Sequence, residues 1–255
     1  MTTTPRAGSM VAALAAEPDT VVTGGGSRAN LFLPRAFLLA AERRYAGTRA
    51  GAEELDGLIL TDVEGGLWPA ALIERRRLGG DPLAMAAAAR RVVVGVDPPT
   101  GVGGTCGIVA AATLADGGWA VLADESVAGA SPEGWAAAVA RACARWGADR
   151  VVAERNQGGD MVRSVLRAAD AGLPVKLVHA SRGKAARAEP VAALFEQGRC
   201  GFAGTFPLLE AELAGLQAGG GYRGPGTSPD RADAMVWALT ELALGGAGEA
   251  RVRRL

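Results

Sequence analysis

The sequence is poor in histidine and cysteine, the residues on which many hydrolases and metal sites depend. Its 255 residues contain one histidine, His179, and three widely separated cysteines without a CxxC pair. A histidine-based zinc hydrolase or a Ser-His-Asp triad therefore has almost no material to work with. The cysteine spacing is typical of buried thiols in a reducing cytosol. Any hydrolytic chemistry must be carried by carboxylates.

An excess of one charge and long apolar runs are also absent. The chain has 27 basic and 27 acidic residues, so binding of a polyanion would need a local basic patch. No apolar run approaches the roughly 20 residues that span a bilayer, and the first residues lack the pattern of a signal peptide. We therefore expect a cytoplasmic protein that does not contact the membrane.

The clearest secondary-structure pattern begins at residue 91. Three short apolar strands come first, and strands and helices alternate after them. The first three strands are separated by short links, and one link, Asp116-Gly117-Gly118, is a hairpin signal. Ser131-Pro132-Glu133 is a helix start with serine at the N-cap and proline after it. The predicted strands are 91–97, 106–115, 119–127, 150–154 and 175–180; the predicted helices are 131–146, 161–171, 189–197, 206–217 and 230–244.

This order predicts an α/β fold with a mixed sheet. Three antiparallel strands followed by parallel strands, with flanking helices, is the order of a ribonuclease H-like sheet. A fully parallel Rossmann sheet would need a helix between the first strands, and the links leave no room for one. In the last helix, Trp237 and Leu239 are expected to face the core.

Four acids stand at positions where this fold would bring them together. Asp97 closes the first strand and Glu154 closes the fourth, and these strands are expected to be neighbours. Asp230 and Asp233 lie at i and i+3 on the first turn of the last helix, hence on one face. Each acid alone could be a solvated residue or a helix cap. Together they would repel one another unless cations bind, and carboxylate oxygens favour magnesium or manganese.

Two such ions would support in-line phosphodiester hydrolysis. One ion would generate the attacking hydroxide, and the other would neutralise charge on the leaving 3′ oxygen. No nucleophilic side chain is needed, which suits a chain with one histidine.

Three segments carry a resemblance to a known family. ERNQGGD (154–160), SRGKAARAEPVAALFEQGR (181–199) and SPDRADAMVWALTEL (228–242) together resemble the carboxy-terminal nuclease domain of the large terminase subunit. That enzyme cuts DNA during packaging in tailed bacteriophages and related gene transfer agents. The match runs in order from about residue 91 to 244. It implies a ribonuclease H-like fold, a two-metal site for Mg²⁺ or Mn²⁺ and endonucleolytic cleavage of concatemeric double-stranded DNA.

The resemblance assigns the acids to the metal site. Asp97 corresponds to the first-strand acid and Glu154 to the second, while Asp230 and Asp233 both fall in the final acidic segment. Which of the last two binds metal directly stays open.

The resemblance also implies DNA-binding residues. Lys184 and Arg187 resemble a basic pair near the site that could hold the phosphate backbone. Arg155, beside Glu154 in the first motif, is assigned to DNA binding with them. A solvated helix face is the alternative for the basic pair.

The amino-terminal part resembles the end of the terminase ATPase domain, in VVTGGGSRANLFLPRAFL (21–38) and RRYAGTRAGAEELDGLILTDVEGGLW (43–68). No GxxxxGK(S/T) phosphate loop is present, so we expect no ATP hydrolysis by this chain, which would be a truncated, split or degenerate terminase. The expected organisation is a flexible N-terminus (1–20), this remnant with a linker (21–85), the nuclease domain (86–245) and a basic tail (246–255).

The sequence therefore predicts a metal-dependent DNA endonuclease in the cytoplasm of a bacterial host. The portal protein and the small terminase subunit are the implied partners, besides double-stranded DNA. One alternative is another ribonuclease H-like phosphoryl-transfer enzyme, such as a Holliday-junction resolvase or recombinase, which would prefer branched DNA. The other is a catalytically silent packaging module, which would have no reason to bind metal.

Overall fold

The computed structural model of the chain describes residues 66–101, 103–155, 159–180 and 183–244, with 17, 19–21, 26–27, 30, 32–39 and 55 before them. The basic tail and nearly all of the expected flexible N-terminus lie outside these residues, as does most of the stretch from 21 to 65. Residues 35–39 are helical. No helix in the described part of the chain has the length and apolar character needed to cross a membrane.

From residue 66 onward, strands and helices follow one another closely. The strands are β1 (Arg91–Asp97), β2 (Thr105–Thr113), β3 (Trp119–Asp124), β4 (Val127–Ala128), β5 (Arg150–Glu154), β6 (Val175–Val178) and β7 (Cys200–Phe202). The α-helices are α1 (Ala70–Arg75), α2 (Pro82–Ala88), α3 (Pro132–Trp146), α4 (Gly159–Ala169), α5 (Lys184–Glu196), α6 (Pro207–Gly215) and α7 (Asp230–Leu239). A π-helical turn, Thr240–Leu244, continues α7.

The strands form a mixed sheet in the order β6-β5-β1-β2-β3-β7, with β4 paired to β2. β1, β2 and β3 are antiparallel neighbours. β5 lies parallel to β1, and β6 lies parallel to β5. The mixed sheet expected from the sequence is therefore confirmed. The edge strand β7, parallel to β3, was not predicted because three residues carry no readable alternation.

Both faces of the sheet are covered, which explains the continuous apolar run of β1. Val93 packs into the layer formed by α1, α5, α6 and α7, whereas Val92, Val94 and Val96 pack against α3 and α4. Successive side chains of a strand point to opposite faces, so a strand between two helical layers must be apolar at every position. Only its last residue, Asp97, is acidic.

The segment before the sheet is packed into the same core. Leu67 N donates to the carbonyl oxygen of Leu216 at 2.8 Å. Trp68 is fully buried, with its ring edge-on to Phe195. The Arg77 guanidinium binds both oxygens of Glu210, a residue of α6, at 2.7 and 2.6 Å. These contacts fix residues 66–78 to the side of the sheet that carries α6.

Several elements differ from the expected bounds. The third strand ends at Asp124, and Val127–Ala128 forms the separate strand β4. Helix α2 was not expected, although Asp81 caps it and Pro82 begins it. Helix α5 begins at Lys184, five residues before the predicted start, because Pro190 lies inside it rather than opening it. The carbonyl left without a donor by Pro190 belongs to exposed Ala186, where water can replace the lost hydrogen bond.

Candidate metal centre

Two adjacent parallel strands deliver the first two acids to one edge of the sheet. β1 and β5 pair in the register Val96 with Ala153. The next residues along each strand are Asp97 and Glu154, so both leave the sheet side by side. This is the arrangement expected from the sequence, and it follows from the parallel pairing alone.

Two glycines let α7 lie directly on the backbone of β1 and β2. A Cβ built on Gly95 would overlap the carbonyl oxygen of Ala234, and one built on Gly107 would overlap that of Asp230. Gly107 is also the strand partner of Asp97. Glycine inside a strand commonly marks such a close approach of another backbone. The first turn of α7 is thereby set against the end of β1.

Three of the four acids line one open cleft. Asp97, Glu154 and Asp230 face it together with Lys184, and the cleft has a volume of about 310 Å³. Its remaining walls come from two loops, residues 98–101 with Gly104, and Thr227 with Ser228. Asp233 is 3% exposed and is not part of this lining. Of the two acids on α7, Asp230 faces the cleft.

The acids perturb one another strongly. Burial raises the pKa of Asp97 well above its usual range, and repulsion from Asp233 and Glu154 acts in the same direction. Burial also raises the pKa of Asp233, against the opposing attraction of Lys184 and Arg187. A cation that enters the cleft would stabilise the ionised form of these carboxylates and lower their pKa values.

Two cations from the start of α5 already contact the acids. Lys184 Nζ lies 2.5 Å from Asp233 Oδ2 and donates to Ser228 Oγ at 2.8 Å. Arg187 lies 3.3 Å from Glu154 Oε2 and 3.5 Å from Asp233 Oδ1. The Arg187 side chain is 10% exposed, whereas that of Lys184 is 44% exposed. Both side chains point into the acid cluster, as their three-residue spacing on one helix allows.

Trp237 contributes to the site, although the helical pattern predicted only a core position for it. Its indole Nε1 donates to Glu154 Oε2 at 2.8 Å. The Arg187 guanidinium stacks 4.4 Å above the centre of its ring. Trp237 is nevertheless 7% exposed, so the prediction of burial was correct and the polar role was missed. A tryptophan in an amphipathic helix gives no sequence signal that separates the two roles.

The remaining predicted DNA contact, Arg155, lies beside the acids but outside the buried cluster. It follows Glu154 directly, and its side chain is exposed. Its backbone N–H donates to the carbonyl oxygen of Val178 at 2.6 Å, which continues the pairing of β5 with β6.

The donor set suits a hard divalent cation, although the side chains are not arranged around one. Among the described residues, no three His, Cys, Asp or Glu side chains converge closely enough to hold a metal ion. Glu154 and Asp233 are instead paired with Arg187 and Lys184. Asp233 Oδ2 is buried and lacks a hydrogen bond of good geometry, even with Lys184 close by. Carboxylate oxygens of this kind are ligands for Mg²⁺ or Mn²⁺.

A second group of charged residues adjoins the site and was not predicted. Arg231, between the two acids of α7, binds Asp124 at the end of β3 and lies 3.5 Å from Glu212 of α6. The sequence separations of 107 and 19 residues explain why no local pattern could have shown these contacts.

Comparison with known proteins identifies one family. The model of the terminase RNaseH-like domain matches residues 94–242, more than half of the chain. This range contains all four acids and all three basic residues singled out in the sequence. A search of curated proteins gave no match.

Solved structures with a similar fold include large terminases and their nuclease domains. The nuclease domain of the large terminase subunit gp2 of bacterial virus Sf6 aligns with a TM-score of 0.51 and 14% identity, over 68% of this chain and 98% of that domain. A mutant of that domain with manganese and beta-thujaplicinol aligns with a TM-score of 0.50 and 14% identity, over 68% of this chain and 98% of that domain. The large terminase of bacteriophage HK97 gives a TM-score of 0.50 and 14% identity, over 82% of this chain and 50% of that protein.

Proposed function

This chain belongs to the terminase RNaseH-like domain family, and from that premise we propose that it is a divalent-metal-dependent endonuclease that cuts double-stranded DNA during genome packaging. The family suggested by the three sequence motifs is confirmed by the match. The fold agreement with the Sf6 nuclease domain, at a TM-score of 0.51, is consistent with it.

One observation carries the proposal for this chain. The ends of β1 and β5 and the first turn of α7 bring Asp97, Glu154 and Asp230 to one cleft. The pKa of Asp97 is raised by burial, then by Asp233 and Glu154, so the cluster is costly without cations. Proteins that keep such repulsion usually use it at a functional site.

The four acids, Asp97, Glu154, Asp230 and Asp233, are the proposed metal ligands. When bound, Mg²⁺ or Mn²⁺, as one ion or as two, would supply the Lewis acidity for in-line phosphodiester hydrolysis. The manganese present with the Sf6 domain variant supports the choice of ion. Glu154 contacts Arg187 and Trp237 through Oε2 and lines the cleft, so Oε1 is the oxygen proposed to bind the metal. Both oxygens of Asp233 lie near cations, so Asp233 must exchange its contacts with Lys184 and Arg187 to act as a ligand.

Three basic residues are proposed to act on the DNA side of the site. Lys184 lines the cleft and Arg155 is exposed beside it, so both can reach a phosphate backbone. Arg187 is largely buried against Trp237 and the acids. We therefore assign Arg187 to holding Glu154 and Asp233, with a contact to DNA only if the cluster opens.

The wider packaging role rests on the family. We propose double-stranded DNA as substrate, the portal protein and the small terminase subunit as partners, and the bacterial cytoplasm as the location. The HK97 large terminase covers 82% of this chain, against 68% for the isolated Sf6 nuclease domain. The proposed division into an ATPase-domain remnant at 21–85 and a nuclease domain at 86–245 rests on the sequence motifs; the family match at 94–242 lies within the second part.

Plasmid cleavage by the full chain tests the proposal. Supercoiled DNA incubated with Mn²⁺ or Mg²⁺ should be nicked and linearised, and a chelator should stop the reaction. Asp97→Ala should lower the rate by at least about 1000-fold, as loss of a group acting as part of a catalytic unit does. The matched control is Glu133→Ala, which removes an exposed acid from α3 on the other face of the sheet and should cleave normally.

The same assay separates the rival functions. Cleavage of a four-way DNA junction in strong preference to linear duplex would favour a resolvase-like enzyme. A folded chain that neither cleaves DNA nor binds Mn²⁺ would be a silent packaging module, and the proposed function would then be wrong.

A further inference from the structure

The first turn of α7 is capped by a residue from another helix. Pro229 precedes the helix and supplies no side-chain cap. Glu212 of α6 takes that role, because its Oε2 accepts from Arg231 N at 2.8 Å and from Ala232 N at 3.0 Å. These are N–H groups that a helix start leaves without intrahelical partners. The two acids of α7 flank the capped residues on either side.

A second arm holds the same turn from the sheet. The Arg231 guanidinium binds both oxygens of Asp124, at 3.1 and 2.9 Å. Asp124 is itself fixed by Ser126, whose Oγ lies 2.5 Å away and also accepts from Ile108 N. The start of α7 is therefore tied to α6 by Glu212 and to β2 and β3 through Arg231.

The charge of Glu212 is electrostatically unfavourable at this position. It is 7% exposed, and burial raises its pKa to about 7, with a further contribution from Asp230. The hydrogen bonds from Ala232 and Arg231 act in the opposite direction. Burying an acid next to an acid cluster destabilises a fold unless hydrogen bonds to its carboxylate compensate the lost hydration. Glu212 does not line the cleft, so it is not placed to bind a metal itself.

We propose that Glu212 is a positioning residue of the metal site: by capping α7 from α6, it sets the direction in which Asp230 and Asp233 present their carboxylates. Arg231 and Asp124 form the second support of the same turn. This inference rests on the proposed function, since it assumes that the two acids bind metal.

The chain contains a matched control on the same helix. Glu210 is also buried, at 6% exposure, and also caps a helix start, since its Oε1 accepts from Phe206 N at 2.6 Å. Its other partner is Arg77, so its contacts hold α6 and the segment before the sheet. Loss of either glutamate should destabilise the fold, but only Glu212 contacts α7.

The test measures Mn²⁺ affinity by electron paramagnetic resonance of free Mn²⁺, alongside thermal unfolding, for the full chain. Glu212→Ala should weaken Mn²⁺ binding by about 10-fold to 100-fold, the range seen when a residue that orients a ligand is lost. Glu212→Gln keeps one acceptor oxygen and should recover part of the affinity. Glu210→Ala should lower the melting temperature but leave Mn²⁺ affinity within about 2-fold of the wild type.

Each outcome decides something different. Wild-type affinity in both Glu212 variants, or equal weakening by Glu210→Ala, would overturn the positioning role and leave the nuclease proposal standing. If Glu212→Ala does not fold, Glu212→Gln decides, because the amide has one acceptor oxygen where the carboxylate has two and places an NH₂ group near Arg231; wild-type Mn²⁺ affinity in that variant would then overturn the positioning role. Absence of Mn²⁺ binding in the wild type would overturn the proposed function itself, and this inference with it.

Discussion

Charged residues of opposite excess lie at the two ends of helix α7. Its first turn lies at the edge of the sheet where β1 and β5 end, and its last turn lies at the edge where they begin. At the edge where β1 and β5 end, four acids meet two cations: Asp97, Glu154, Asp230 and Asp233 against Lys184 and Arg187. At the edge where β1 and β5 begin, one acid meets three cations: Glu241 against Arg91, Arg150 and Lys176, at 2.8 to 2.9 Å. Helix α7 and its π-helical turn connect the two groups.

The same side-chain chemistry therefore serves opposite purposes at the two edges. Burial alone would raise the pKa of Glu241, but hydrogen bonds from Lys176, Arg91 and Arg150 outweigh it and the pKa is lowered. The pKa of Asp97 is raised by its surroundings. A carboxylate at a helix C-terminus is unfavourable for the helix dipole, so the three cations offset that cost as well. One edge clamps the helix, and the other leaves negative charge for a ligand to neutralise.

The largest loss of stability and of metal binding should follow from moving α7 away from the edge of the sheet that carries Asp97 and Glu154, here called the acidic edge. A side chain at Gly107 would overlap the Asp230 carbonyl, so Gly107→Ala must displace the first turn of the helix. We expect a loss of about 3 kcal/mol in stability, the upper range for overpacking, and loss of measurable Mn²⁺ binding. Chemical denaturation and Mn²⁺ titration measure the two effects. Gly79→Ala is the control, because no atom lies within 4 Å of a Cβ there; normal metal binding by Gly107→Ala would show that the close contact does not set the site.

Glu241→Gln should cause a smaller loss of stability at the opposite edge, where β1 and β5 begin. The substitution leaves three cations without their carboxylate and should cost on the order of 2 kcal/mol at pH 7. Because the folded pKa of Glu241 is lowered, its contribution is present above the ordinary pKa of 4.5 and is lost as the pH falls below it. The stability difference between wild type and variant should thus shrink in acid, as measured by denaturation from pH 3 to 7. Exposed Glu196→Gln should change little, and a gap that widens in acid would contradict the assignment.

The smallest effect has the opposite sign. Asp97→Asn removes a buried charge that its neighbours repel, so the metal-free chain should become more stable at pH 7. A stabilising substitution of this kind commonly adds about 1 kcal/mol, which corresponds to a rise of roughly 2–4 °C in Tm for a domain of this size. Differential scanning calorimetry with chelator measures it, and added Mn²⁺ should stabilise the wild type more than the variant. A destabilised variant would mean that Asp97 is held by contacts rather than strained.

The acidic edge could be predicted from the sequence further than the contacts that support it. β1 and β5 have the predicted bounds because each is a continuous apolar run closed by an acid, and parallel pairing then fixes where Asp97 and Glu154 emerge. The start of α7 follows from Ser228-Pro229. In contrast, Glu212 and Arg231 act through contacts between distant segments, and Trp237 has the apolar signature of any core residue. Local patterns locate strand ends, whereas the hydrogen bonds that orient side chains depend on the packed fold.

The anchoring of Trp68 and Arg77 also makes α6 a mechanical link. A pull on the chain ahead of residue 66 would act first on the hydrogen bond from Leu67 to Leu216, then on the buried Trp68 and on the Arg77 guanidinium. Arg77 transmits it to Glu210, two residues before Glu212 on the same rigid helix. We therefore expect tension at the amino-terminal side of the domain to act on α6, the helix whose Glu212 caps the turn that carries Asp230.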